Sequence, residues 1–150
     1  MLSHFPAVDY TGIDIESKYI EDAKQRFGNR GNFICRNISE IPLDQYSDVD
    51  IVITTGVIHH LDDSEAKHLL KLAKSFLKPE GRLITYDGCF LEKGQHPFDL
   101  WMLKNDRGKF VRKKDEYIAL AKQVFPSVKA HVRSDLLRVP YTVIMLECTN

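Results

Sequence analysis

Tyr10-Thr-Gly-Ile-Asp-Ile-Glu16 decides how the rest of this 150-residue chain is read. With the residues just before it, it reads as a short buried strand, Val8 to Ile15, that ends on a carboxylate, Asp14. A helix pattern starts almost at once at Ser17, the expected N-cap, with Ile20, Ala23, Lys24 and Phe27 at helical spacing. A strand that delivers an acid to the carboxyl edge of a parallel sheet is how doubly wound α/β folds hold a ribose, because one carboxylate accepts from both hydroxyls. Capping of the following helix is the other reading of Asp14, and the stretch alone leaves the two level.

Working outward, Gly28-Asn-Arg-Gly31 stops the helix, and Asn32 to Asn37 reads as a second strand. Residues 38–47 are connection. Asp48 to Thr55 is a third strand, whose Val and Ile run suits burial on both faces of a parallel sheet. A loop from Gly56 to Leu61 leads to Asp62-Asp-Ser64, which supplies caps for a helix to about Leu77. Pro79-Glu-Gly81 turns the chain into a fourth strand, Arg82 to Asp87. After an irregular stretch, 89–112, with a short helix near Phe98–Lys104, a helix follows from Lys114 to about Val124. Val128–Leu137 and Tyr141–Cys148 form a closing antiparallel pair. Alternation of this kind means an α/β fold with a mainly parallel sheet and an antiparallel C-terminal hairpin.

The length suits a single domain, residues 1–150, with 89–112 as a lid or acceptor-site insert. Lysine plus arginine equals aspartate plus glutamate at 21 each, which argues against nucleic-acid binding through bulk positive charge. Arg112-Lys-Lys114 is followed directly by Asp115 and Glu116, as at a solvated helix start. Cys35, Cys89 and Cys148 lack metal-type spacing and read as reduced, mostly buried thiols, so a cytoplasmic location is expected. No apolar run is long enough to span a membrane, and no membrane partner is expected.

Four stretches, in order, resemble the class I S-adenosylmethionine-dependent methyltransferases. Thr11-Gly-Ile-Asp-Ile15 is similar to the acidic end of that family's second strand, and Phe33-Ile-Cys-Arg-Asn-Ile38 to its adenine-facing third-strand motif. Val49-Asp-Ile-Val-Ile-Thr-Thr-Gly-Val-Ile-His-His-Leu61 resembles the fourth strand and its loop, and Leu77-Lys-Pro-Glu-Gly-Arg-Leu-Ile84 the turn into the fifth. The resemblance covers residues 8–88 and implies a Rossmann-like methyltransferase fold with S-adenosylmethionine as cofactor. It implies that Asp14 accepts from the ribose, Ile15 packs on the adenine, and Asn37, where the family commonly has aspartate, accepts from the adenine amino group. The backbone amide of Ile38 would donate to the ring, and Thr55 and Gly56 would line the methionine end.

The family's opening strand and glycine-rich loop have no counterpart before Val8, so the first strand is missing and the chain reads as N-terminally shortened. In the family that strand lies between the counterparts of the Val8 and Asp48 strands, so the resemblance implies open edges that pair with each other, are covered by homo-oligomerisation, or leave the fold perturbed.

His59 and His60 follow the third strand of this chain, where a general base for an acceptor hydroxyl could stand. Alternatively His60 packs under the helix and His59 is a loop residue. Adjacent histidines also suit a metal, but no third ligand stands at a metal-type spacing, so no metal site is expected. Tyr86 and Asp87 end the fourth strand of this chain, on the edge where ligands sit, and Asp87 either touches the acceptor or caps a turn. Trp101, Arg107 and Arg112 are candidates for the acceptor site, the arginines toward phosphate or carboxylate. The alternative is a surface loop with Trp101 pinned into the core.

Two functions stay open: methyl transfer to a small-molecule or saccharide acceptor, and a non-catalytic methyltransferase-like binding or scaffold module. A nucleotide-binding dehydrogenase fits Leu77–Ile84 and the closing hairpin less well.

Overall fold

The computed structural model describes residues 7–42 and 44–150. The chain divides after Pro42 into two compact units.

In the first, β1 (Thr11–Asp14) and β2 (Asn32–Cys35) run parallel, joined by helix α1 (Ser17–Phe27). β1 is shorter than Val8–Ile15 because β2 offers only four partners, from Thr11 opposite Asn32 to Asp14 opposite Cys35. Ser17 is the first helical residue rather than the N-cap. Glu16 takes the cap position, and its side chain makes no capping bond. Ile20 and Phe33 are the buried centre, with Tyr10, Ala23 and Phe27 packed around them. Among the described residues this cluster holds two buried large side chains, at about 1.5–3 kcal/mol each, which makes it a thin one. Cys35 is exposed rather than buried: it shares the face of Phe33 but is the last residue of β2, at the strand's carboxyl end.

The second unit runs β3 (Val49–Thr55), α2 (Asp63–Phe76), β4 (Leu77–Phe90), α3 (Pro97–Lys104), β5 (Arg112–Lys113), α4 (Lys114–Lys122), β6 (Ser127–Arg133) and β7 (Val143–Thr149). The sheet order is β3-β4-β7-β6, with the short β5 alongside β4. β3 and β4 are parallel, while β7 lies antiparallel between β4 and β6. This is the α/β arrangement read from the sequence, including the closing hairpin. Asp62 caps α2 through a capping box, accepting from Ser64 and Glu65 while Glu65 reaches back to the Asp62 amide. The apolar stripe of α2, Ala66, Leu69, Leu70, Ala73 and Phe76, is buried as its spacing predicts. Leu83, Ile144 and Leu146 from the two central strands complete the core.

β3 departs from expectation. Its Val and Ile run is not buried on both faces, since Ile51 is 53% and Ile53 40% exposed. Among the described residues β3 pairs with β4 alone, so it is an edge strand with one covered face. No described helix is long and apolar enough to cross a membrane.

Candidate active site

The carboxyl ends of β3 and β4 lie side by side, with Thr55 opposite Tyr86. Beyond Thr55, which is exposed, Gly56 takes a φ of 66°, a conformation that glycine adopts without strain. Its amide donates to the Tyr86 carbonyl at 2.7 Å and turns the chain back over the sheet. A single 3-10 turn, Ile58–His60, follows. It turns Ile58 and His59 inward, at 1% and 6% exposure, and leaves His60 exposed. The two histidines thus exchange the places given in the structural reading of the sequence. The reason is the partner waiting beneath.

That partner is Asp87, 1% exposed on β4, one residue past its pairing with β3. Its Oδ1 accepts the His59 backbone amide at 3.2 Å and stands 2.9 Å from His59 Nδ1. Asp87 sits behind the imidazole and orients it. Its Oδ2 is buried with no partner among the described residues. With Asp87 accepting at Nδ1, the proton of a neutral imidazole belongs there, and Nε2 carries the lone pair.

Nε2 faces Asp106, whose Oδ1 is 3.4 Å away. Asp106 is held in turn by the Gly108 amide at 2.7 Å and the Tyr141 hydroxyl at 3.1 Å. Burial pushes the Asp106 carboxyl up, but the Gly108 amide, His59, the Tyr141 hydroxyl and His60 outweigh it. The group stays below the ordinary carboxylate range. The Tyr141 phenol is pushed up, first by burial and then by the charge of Asp106.

The segment from Asp106 to Arg112 wraps the histidine turn. A Cβ on Gly108 would stand 2.0 Å from His59 Cδ2 and 2.7 Å from the His59 carbonyl oxygen, so only glycine passes there. The Phe110 amide donates to that carbonyl at 2.9 Å. Arg112, expected as an anion ligand, points inward at 8% exposure. Its guanidinium donates to Asp63 at 2.7 Å, to the Ile58 and Leu61 carbonyls at 3.1 and 2.8 Å, and to that of Phe110 at 3.0 Å. Its donors serve the frame of the loop.

A cleft of about 570 Å³ opens over this cluster, lined by Gly56, His59, His60, Trp101, Asp106 and Tyr141 among others. Trp101 is not pinned into the core: it is 60% exposed on α3 and stacked with Phe98 at 5.8 Å between ring centroids. Arg107 also lines the cleft and is exposed. Asp99, one turn before Leu103, is buried instead and accepts the Thr142 amide and hydroxyl, tying α3 to the entry of β7.

In the first unit the expected cofactor residues stand at the carboxyl edge of β1 and β2. Asp14 Oδ1 accepts the Glu16 amide at 2.8 Å, so it does serve the start of α1, while its other oxygen has no partner among the described residues. Ile15 is 63% exposed. Asn37 Oδ1 caps the turn Ile38–Glu40, accepting the Ser39 amide at 3.0 Å and hydroxyl at 2.9 Å.

The structure thus brings His59, His60 and Asp87 together, with Trp101 and Arg107 bordering the same cleft. Tyr86 contributes a backbone carbonyl. Sequence reading missed Asp106, Gly108 and Tyr141 as site residues. The Asp-Arg-Gly order in 106–108 was the one available signal, a tight turn ending on glycine.

Comparison with known proteins follows from this geometry. Residues 1–81 match the family model for a methyltransferase domain. A candidate O-methyltransferase from Nostoc punctiforme PCC 73102 is similar in structure, with a TM-score of 0.72 and 24% identity over 96% of this chain and 46% of that one. The mitomycin 7-O-methyltransferase MmcR has a TM-score of 0.73 at 18% identity, over 99% of this chain and 44% of that one. Human N-acetylserotonin methyltransferase, in complex with S-adenosylmethionine, has a TM-score of 0.68 at 21% identity, over 99% and 43%. These likenesses are of fold, and the chain spans less than half the length of each of the three. No curated protein matches the chain in sequence.

Proposed function

From the premise that this chain belongs to the class I S-adenosylmethionine-dependent methyltransferases, we propose that it transfers a methyl group from S-adenosylmethionine to a small-molecule or saccharide acceptor. The family is S-adenosylmethionine-dependent. We assign the adenosine part of the cofactor to the exposed edge of the first unit: Asp14 through its free oxygen, Ile15 through its exposed face, and the Asn37–Ile38 turn. We assign proton handling to the cleft of the second unit.

The observation that carries this reading is His59, set between a buried carboxylate and a cleft. Methyl transfer from a sulfonium needs in-line approach and an unprotonated nucleophile. An acceptor hydroxyl must shed its proton, and a histidine whose Nδ1 is claimed by Asp87 offers Nε2 at the cleft wall to receive it. Trp101 supplies an exposed aromatic face on which a sugar or aromatic ring can lie, and Arg107 a cation at the rim. The names of the similar structures, two of them oxygen methyltransferases by description, favour oxygen as the receiving atom.

Titration calorimetry of S-adenosylhomocysteine into the chain tests the assignment. Saturable heat, abolished by Asp14→Ala, is the expected result. No heat in a sample folded by circular dichroism overturns it. That outcome would favour a non-catalytic binding module, a reading which the occupied Asn37 oxygen also supports.

A further inference from the structure

We propose that His59, His60 and Asp106 form a divalent-cation site at the floor of the cleft. Each offers one donor atom, and the three atoms lie within 4.8 Å of one another. Two of them are already at ligand spacing. His59 Nε2 and Asp106 Oδ1 are 3.4 Å apart, which is long for a good hydrogen bond. It is the separation expected of two ligands at tetrahedral angles on one ion, given metal–ligand bonds of about 2.0–2.2 Å. His60 has its ring centroid 4.2 Å from that of His59 and is exposed, so it can swing the remaining distance without disturbing the core.

The surroundings are those of a prepared ligand set. A metal-binding histidine needs its second nitrogen fixed, and Asp87 fixes Nδ1 of His59 from a fully buried position. A metal-binding carboxylate needs its own donors, and Asp106 has the Gly108 amide and the Tyr141 hydroxyl. Gly108 presses against the ring and leaves it no other seat. The remaining coordination positions face the cleft, where an acceptor oxygen would enter. Two imidazoles and one carboxylate suit borderline first-row ions such as zinc, iron, cobalt or manganese. Sequence spacing could not show the site, because its third ligand comes from the segment before β5.

The existence of the site does not depend on the methyl-transfer reading. Its role does: with a cation bound, the pKa of an acceptor hydroxyl falls and its proton leaves to solvent, which replaces the base role that His59 Nε2 has in the cation-free chain.

The test is a cobalt(II) absorption titration, with zinc and manganese calorimetry, on chain stripped by chelator. One equivalent binding with a ligand-field spectrum is expected. Asp106→Asn and His60→Gln should each abolish it with unchanged circular dichroism, and Asp87→Asn should weaken it about 10–100-fold. Absence of saturable binding in folded chain overturns the site, leaving His59 as an imidazole held between two carboxylates. Binding that survives both Asp106→Asn and His60→Gln overturns it equally, since other surface histidines would then account for the signal. S-adenosylhomocysteine titration of the same sample separates the two proposals: cofactor without cation sinks this one alone, and cation without cofactor sinks only the methyl-transfer reading.

Discussion

Asp14 and Asp87 both stand where a parallel strand pairing ends, and their surroundings set them to opposite tasks. Asp14 stands at an open edge over a thin core, gives one oxygen to the start of α1 and keeps the other outward. Asp87 is sealed beneath a turn, with its oxygen committed to both the backbone and the ring of His59. An acid at the first edge can meet a ligand directly, whereas one at the second can act only through the side chain it holds. The second edge is also built from distant parts: its turn is closed by residues 106–112, which the first edge has no equivalent of.

Removing that closure should have the largest effect. Arg112→Ala leaves the carbonyls of Ile58, Leu61 and Phe110 without their donor. Buried groups left unpaired cost about 1–3 kcal/mol each, so a loss on the order of 3 kcal/mol is expected in urea unfolding. An unchanged midpoint would mean that the histidine turn stands by itself, and the contrast between the edges would fall. Asp14→Ala, by comparison, should cost about 1 kcal/mol or less, as for an exposed cap.

Gly108→Ala comes next. The added methyl meets both the ring and the backbone of His59, and neither is the free end of a flexible chain. Overpacking of this kind costs about 1–3 kcal/mol. Histidine NMR should show the His59 resonances displaced while those of His131, on β6, stay in place. A variant with native stability and unmoved His59 signals would show that the ring has another seat.

The two edges were unequally legible in the sequence for a physical reason. β1, α1, β3, α2 and the closing hairpin follow from local periodicity and caps, and Asp62 with Glu65 is a signal contained in four residues. The carboxylates at strand ends could be listed, but burial is a tertiary property. Nothing local distinguishes Asp14 from Asp87, or tells which of His59 and His60 turns inward. Arg112 looked like an anion ligand because its partners, two carbonyls near residue 60 and Asp63, lie about fifty positions away. Trp101 was left open between core and surface for the same reason. Local pattern also misleads at β3, where a Val and Ile run suits a strand covered on both sides and the structure covers one.

The finest test of the contrast is acid, and its sign can be stated. Asp106 is raised by burial but drawn down further by the Gly108 amide, His59, Tyr141 and His60, so its folded pKa lies below its unfolded value. A depressed carboxylate contributes stability that is complete above the unfolded pKa, about 4, and is lost as pH falls through the folded one. The stability difference between the native chain and Asp106→Asn should therefore be flat from pH 7 to 5 and shrink below about pH 4. Urea unfolding of both proteins at stepped pH measures it. A difference that grew toward acid would place Asp106 among groups that burial keeps neutral, and the cluster around His59 would then lack the negative charge assigned to it.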